Sequence, residues 1–163
     1  MITAIQSGGL WACFIGYPFN VTPSPDERPP SIYVTLDNDE PHLPSSSVYL
    51  QDNIDNLKYG LDVLKVISGD KLYVGVSEKN KDLKSQLSSI STHELVGDYP
   101  ANNPGVFLYY NKTTAEENNS WGIRAQDLIR IALLLKEGKY PIERTISLSG
   151  PFPIIKSLNL NSS

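Results

Sequence analysis

A single cysteine, Cys13, and two histidines, His42 and His93, stand among the 163 residues. One thiol cannot close an internal disulfide or supply the thiolate set of an iron–sulfur cluster or structural zinc site. The histidines lack H-x-x-x-H spacing, which makes a poor metal site. No apolar run approaches the ~20 residues that a membrane-crossing helix needs. Basic residues do not cluster: Lys79, Lys81 and Lys84 are interleaved with polar residues and read as a solvated face. With a net charge of −4, the chain lacks the basic surface that binding to nucleic acid requires. There is no internal repeat and no low-complexity tract. The first residues carry no secretory leader pattern, so the sequons at Asn20, Asn111, Asn118 and Asn161 carry little weight, and one cysteine fits a reducing compartment.

What is present suits a single α/β domain over residues 1–163: 40% hydrophobic and 20% charged residues suffice for a real core. Residues 2–14 have apolar positions at helical spacing, interrupted by Gly8-Gly9, which predicts a helix breaking into a turn. Pro18, Pro23, Pro25, Pro29 and Pro30 make the next stretch an extended connector. Residues 31–36 (SIYVTL) predict a buried strand ending in the acidic turn Asp37-Asn38-Asp39-Glu40-Pro41. Residues 53–67 place Ile54, Leu57, Leu61, Leu64 and Ile67 on one helical face, with Gly69 as the stop. Residues 71–76 alternate as a second strand. Strand, helix and strand in this order predict a parallel, right-handed crossover.

Further on, Leu83 and Leu87 mark a short surface helix within 77–91. A short strand over 92–96 and a short helix within 100–111 follow. Residues 120–123 are a short strand-like start to a long apolar helix over 124–137, stopped by Gly138. That helix should be buried on more than one side, because Leu128, Ile129, Ile131, Ala132, Leu133, Leu134 and Leu135 cover most of its circumference. A strand over 145–149, ending at Gly150-Pro151, is expected to complete a mostly parallel sheet of four or five strands. Residues 159–163 read as a frayed tail.

Three features could carry chemistry. Cys13 with His42 or His93 could form a nucleophilic pair. A small buried cysteine and histidines at the surface or in turns are the better reading, since no catalytic signature surrounds Cys13. Asp37, Asp39 and Glu40 follow the first strand, and ligands of open α/β sheets lie beyond strand carboxyl ends. A solvated turn is the plainer alternative. Gly8-Gly9 could let a backbone approach a phosphate, yet only two glycines precede the bulky Trp11, a weak signal for a phosphate cradle. Gly8, Gly9, Trp11, Asp37 and Glu40 are thus the candidate cleft residues, with no catalytic residue and no metal ligand assigned.

The segment SWGIRAQDLIRIALLLKEGKYPIERTISLSGP resembles a stretch of NqrA proteins, a component of the Na+-translocating NADH:quinone oxidoreductase (the Nqr complex). That stretch reads roughly W-x-I-x-x-Q-D-V-I-x-I-x-x-L-F-x-x-G-x-x-x-x-E-R-x-x-x-L-x-G-P. Trp121, Ile123, Gln126, Asp127, Ile129, Ile131, Leu134, Gly138, Glu143, Arg144, Leu148, Gly150 and Pro151 fall in register. SGGLWACFIGYPF is similar to the family's S-G-L-W-x-x-F-x-x-R-P-F, and YPANNPGVFLYY to its H-P-A-x-x-x-G-x-x-I-H. Gly60, Leu61 and Leu64 match its G-L-x-x-L helix. Tyr99, Phe107 and Tyr109 stand at its histidine positions and Gly16-Tyr17 where arginine precedes Pro18, so roles of those residues do not transfer.

The layout more distantly resembles the flavin-binding domains of RnfC proteins and of the NADH-oxidising part of respiratory complex I. The resemblance implies a layered, Rossmann-like domain with a mostly parallel sheet. It would be the central fragment of a longer protein, without that protein's barrel-like N-terminal part and later regions. It further implies a peripheral piece on the cytoplasmic face of the bacterial inner membrane. There it would meet other Nqr subunits, especially one embedded in the membrane, and quinone is a further candidate contact. The whole complex would use NADH, flavins and ubiquinone to export Na+. In the relatives a loop G-x-G-G-A-G-F-P holds the flavin phosphate, and here Trp11 and Ala12 crowd its centre. The implied role is a scaffold without a redox centre. The alternative is a flavin- or dinucleotide-binding oxidoreductase domain of the RnfC kind.

Overall fold

The computed structural model describes residues 1–37, 40, 42–87, 89–90, 92–148 and 156–161. The chain opens with α1 (Ile2–Ser7), which ends at Gly8-Gly9 as the spacing predicts, and one 3₁₀ turn (Trp11–Cys13) leads into β1 (Ile15–Gly16). The proline-rich connector delivers the chain to β2 (Ile32–Thr35). Then come α2 (Ser46–Leu50), α3 (Ile54–Ser68), β3 (Leu72–Ser77), α4 (Lys81–Gln86) and β4 (His93–Leu95). The rest is α5 (Pro104–Asn111), a 3₁₀ turn (Glu116–Asn119), β5 (Trp121–Arg124), α6 (Ala125–Glu137), β6 (Glu143–Leu148) and β7 (Lys156–Asn161).

The main sheet has the order β1-β5-β2-β3-β4. β5, β2, β3 and β4 are parallel, and β1 runs antiparallel to β5. The expected α/β class and the β2–α3–β3 parallel unit are therefore present. In register, Ile32 lies opposite Leu72 and Trp121, while Thr35 lies opposite Gly75 and Arg124. The carboxyl ends of three strands thus come level.

Side-chain alternation splits the sheet into two faces. Val34, Leu36, Val74, Val76 and Ile123 join the large core beneath α1, α3 and α6. Tyr33 and Tyr73 turn to the other face and, with Leu95, Phe107 and Leu108, make a smaller cluster under α5. Leu83 and Leu87 of the α4 segment reach the large core. α6 is buried on several sides as its composition predicts: Leu128, Ile131 and Ala132 are inaccessible, while Leu133 and Leu135 are partly covered. α3 approaches it closely because Gly60 has no side chain. A Cβ there would lie 2.7 Å from Leu128 Cγ.

Three expectations need correction. The strand over 145–149 does not complete the main sheet; β6 pairs antiparallel with β7 in a separate two-stranded sheet, and Ser149, Gly150 and Pro151 lie outside the described residues. The physical reason is that the free side of β5 is already taken by β1, whose pairing sets Ile15 opposite Gly122. Residues 159–161, expected to fray, belong to β7, while 162 and 163 lie outside the described residues. His93 is neither a turn nor a bare surface residue: it sits in β4, its ring 5.5 Å from Tyr73 and 5.6 Å from Phe107.

Candidate functional site

From β2 the chain builds outward through β3 to β4, then returns to place β5 on β2's other side. The strand order reverses between β2 and β5, and such points open a crevice at the carboxyl ends of parallel strands. A cleft of about 180 Å³ lies there, lined among others by Asp37, Tyr49, Arg124, Gln126 and Asp127, with Arg144–Ser147 of β6 as one wall. A shallower hollow of about 520 Å³ adjoins it, also touching Asp37 and lined by Ser45–Ser47, Ser77, Lys79 and Asn80.

Asp37 is 7% exposed and its carboxylate is engaged inside the fold. Oδ1 accepts from Ser46 Oγ at 2.6 Å and from Asn80 Nδ2 at 2.8 Å; Oδ2 accepts from the Ser77 backbone N–H at 2.7 Å. Asn80 also donates to Ser46 Oγ at 3.0 Å and, through its own Oδ1, caps α4 by accepting from Leu83 N–H at 3.2 Å. One carboxylate therefore ties the ends of β2 and β3 to α2 and α4. Beside it, Tyr49 donates to the Leu36 carbonyl at 3.0 Å. Burial, reinforced by the charge of Asp37 and opposed by Arg124, holds its phenol well above the ordinary range.

Glu40 accepts from Arg124 Nη2 at 2.6 Å in a partly exposed pair, with side chains 29% and 37% accessible. Such a pair contributes about 0–1 kcal/mol. Asn38, Asp39 and Pro41 of the same turn lie outside the described residues. Asp127, in the first turn of α6 where a negative charge suits the helix dipole, accepts from Arg130 at 3.4 Å. Cys13 lies beside Asp127, and burial first, then the Asp127 charge, pushes its thiol up to about 11.

The other half of the expected cleft is elsewhere. Trp11 is buried in the large core, its ring 4.9 Å from Phe14 and 5.7 Å from Trp121, the first residue of β5. Its indole N–H donates to the Pro23 carbonyl at 2.8 Å. Gly8 packs against the far end of α6: a Cβ there would lie 2.3 Å from Leu134 Cδ2. Gly9 has φ +72° and open space around it. At ~3.3 Å per residue, the Trp121 end of the sheet lies roughly 15 Å from Asp37. Gly8, Gly9 and Trp11 thus do not meet Asp37 and Glu40. Nor does Cys13 meet a histidine: His42 is exposed at φ +71°, and His93 lies under α5 on the opposite face of the sheet. Among the described residues, no group of three His, Cys, Asp or Glu side chains could hold a metal, and no helix is long and apolar enough to cross a membrane.

Sequence reasoning passes over Ser46, Asn80, Arg124 and Arg144 as site residues. Asn80 has a readable signal, an Asn three residues before a leucine at a helix start. Ser46 and the two arginines become meaningful only once β2, β3 and β5 are side by side. The positions that depart from the family's histidines differ in fate: Phe107 is core, whereas Tyr99 and Tyr109 are 54% and 66% exposed.

Could this cleft take a flavin? Sites for cofactors of that size are typically ~300–1,000 Å³; the cleft alone is about 180 Å³ and the hollow that adjoins it about 520 Å³. A flavin phosphate also wants free backbone amides; Trp11, next to the Gly8-Gly9 turn, packs its indole in the large core.

The fold and cleft define an α/β domain with a mostly parallel sheet and an internally satisfied acid at its switch point. A family model described as NqrA second alpha/beta domain matches residues 2–140, and the chain belongs to this family. Relatives whose names make them the A component of the Na(+)-translocating NADH-quinone reductase agree with that placement. The one from Cellvibrio japonicus is 31% identical over 147 residues, 90% of this chain and 33% of its own length. Those from Rhodopirellula baltica and Vibrio atlanticus are each 29% identical, over 93% and 91% of this chain. The chain spans about a third of the length of these curated relatives.

Proposed function

We propose that this chain acts as the second α/β domain of an NqrA protein in a sodium-translocating NADH:quinone reductase, a scaffold and docking module with no redox centre of its own. In that role it sits at the cytoplasmic face of a bacterial inner membrane and meets other subunits, above all one embedded in the membrane. NADH oxidation and quinone reduction, coupled to Na+ export, take place elsewhere in the assembly. The Rossmann-like layout then reflects descent from a flavin-binding domain.

The observation that carries this reading is the engagement of Asp37. At the position where a related fold would offer a carboxylate to a ligand, this one accepts three hydrogen bonds from Ser46, Ser77 and Asn80. The family match over 2–140 supplies the context.

Titration calorimetry with FMN and with NADH is the test, and no heat of binding is expected at micromolar concentrations. Micromolar binding of either, lost in Glu40→Gln, would overturn the scaffold reading and favour the flavin- or dinucleotide-binding alternative of the RnfC kind. That alternative draws on one observation, the position of the cleft at the reversal of strand order. Glu40 is the better probe because its removal spares the Asp37 network.

A further inference from the structure

We propose that the hairpin tip after β1, with the Phe19 ring as its anchor, docks this domain into an uncharged, apolar recess of a neighbouring subunit, on the reading above that the chain is one part of a multi-subunit reductase. Charge is spread unevenly along the chain. A fifth of its residues are charged, yet the first Asp, Glu, Lys or Arg is Asp26. α1, β1 and the hairpin therefore bring no charged side chain to the surface, although Thr3, Gln6, Ala12, Phe19 and Val21 are exposed. Surfaces that meet only water carry most of a protein's charge, whereas the centre of a protein interface is depleted in charge and enriched in aromatic rings. Phe19 is 82% exposed, the most open large apolar side chain among the described residues, and Val21 is 56% exposed.

The tip is held out by its own flanks. The Gly16 N–H donates to the Val21 carbonyl at 2.6 Å, and the Val21 N–H donates back to the Gly16 carbonyl at 3.2 Å. Before Phe19, the Tyr17 N–H donates to the Ser120 carbonyl at 3.0 Å, and the Tyr17 ring lies where a Cβ on Gly105 or Gly122 would come within 2.8 Å of it. After it, the Pro23 carbonyl accepts from the Trp11 indole. The hairpin is thus ordered before a partner arrives, so seating Phe19 costs little further conformational entropy. A charged group buried against this segment would find no counter-ion on it and would keep its desolvation cost, so the recess that fits is neutral. Lipid fits less well: an anionic bilayer calls for basic residues, and one ring and one valine are a small apolar face for a neutral one.

The test uses the full-length protein carrying this domain, co-expressed with the other subunits of the reductase and isolated as a detergent-solubilised complex. On dilution, Phe19→Glu is expected to leave the complex roughly thirtyfold faster than the parent, the loss of an aromatic hot spot. The same ratio is expected at low and high salt, because no charge pair is broken. Tyr110→Glu, at an aromatic residue of α5 that is 78% exposed, should leave at the parent's rate. In urea unfolding of the 163-residue chain, Phe19→Glu should keep the parent's midpoint; a lowered midpoint would make Phe19 a structural residue and overturn the docking tip. An unchanged dissociation rate in Phe19→Glu would overturn the tip and leave the reductase reading standing, whereas a parent protein that never joins the complex would overturn both. Binding of the 163-residue chain to phosphatidylcholine vesicles, abolished by Phe19→Glu, would assign the tip to lipid and overturn the protein partner.

Discussion

Two turns of this chain are written in residue types that hold cofactors in other α/β proteins, and the fold has used them in opposite ways. The turn at Gly8-Gly9-Leu10-Trp11 has been drawn inward: its indole packs on Phe14 and Trp121 and its glycine admits Leu134. The turn that starts at Asp37 stays at a cleft, and its acid accepts three hydrogen bonds from neighbours. One packs its indole into the core, and the carboxylate of the other accepts three hydrogen bonds from its neighbours. A residue type states what a group could bind; the neighbours decide whether it remains available.

The sharpest way to break this comparison is Asp37→Ala. It would leave the Ser77 amide, the Ser46 hydroxyl and the Asn80 amide without their acceptor in a buried place, and the expected loss is ~3–5 kcal/mol in urea unfolding. A loss below ~1 kcal/mol would mean that the carboxylate is available after all. Leu128→Ala is the reference for pure packing at the α3–α6 contact and should cost ~3 kcal/mol in the same measurement. Trp11→Phe keeps an aromatic ring but drops the bond to Pro23 and some volume, so ~2 kcal/mol is expected. If it costs nothing, the first turn is not core.

Smaller effects refine the picture. Glu40→Gln, at the exposed end of the acidic turn, should change stability by less than ~1 kcal/mol and lose most of that difference in high salt. Alkaline titration tests Cys13: its thiol is pushed from 9.0 up to about 11 in the folded chain. The unfolded chain releases this proton first, so the contribution is intact below pH ~9 and is lost as pH rises through ~11. Cys13→Ala should flatten the fall in unfolding midpoint at the start of that window. The tyrosines dominate later, because burial also raises Tyr17 and Tyr33 to about 12.

Much of the fold is legible because its signals are local. Apolar spacing over 54–67 and 125–137 defines α3 and α6, and Gly69 and Gly138 end both in the left-handed conformation. The strand over 145–149 departs from expectation for a reason local signals cannot supply. Which strand fills the edge of β5 depends on Ile15–Gly16, more than a hundred residues away and only two residues long. The site is half legible. Asp37 and Glu40 stand out from their position after a strand, whereas Arg124, the partner of Glu40, looks like an ordinary helix start.

By itself, then, the sequence determined the α/β class, the two long helices α3 and α6, the parallel β2–α3–β3 unit and the family, all of which rest on periodicity, stop residues and motifs read within short windows, while α2 (Ser46–Leu50) went unread. Tertiary structure alone decided the fate of the two turns, the separation of Trp11 from Asp37, and the placing of β6 at the cleft. Those outcomes depend on contacts between residues such as Asp37 and Asn80 or Gln126 and Thr145, 43 and 19 positions apart. Hydrogen bonding and burial act through space, and a linear pattern carries no record of which distant donor will reach a given acceptor.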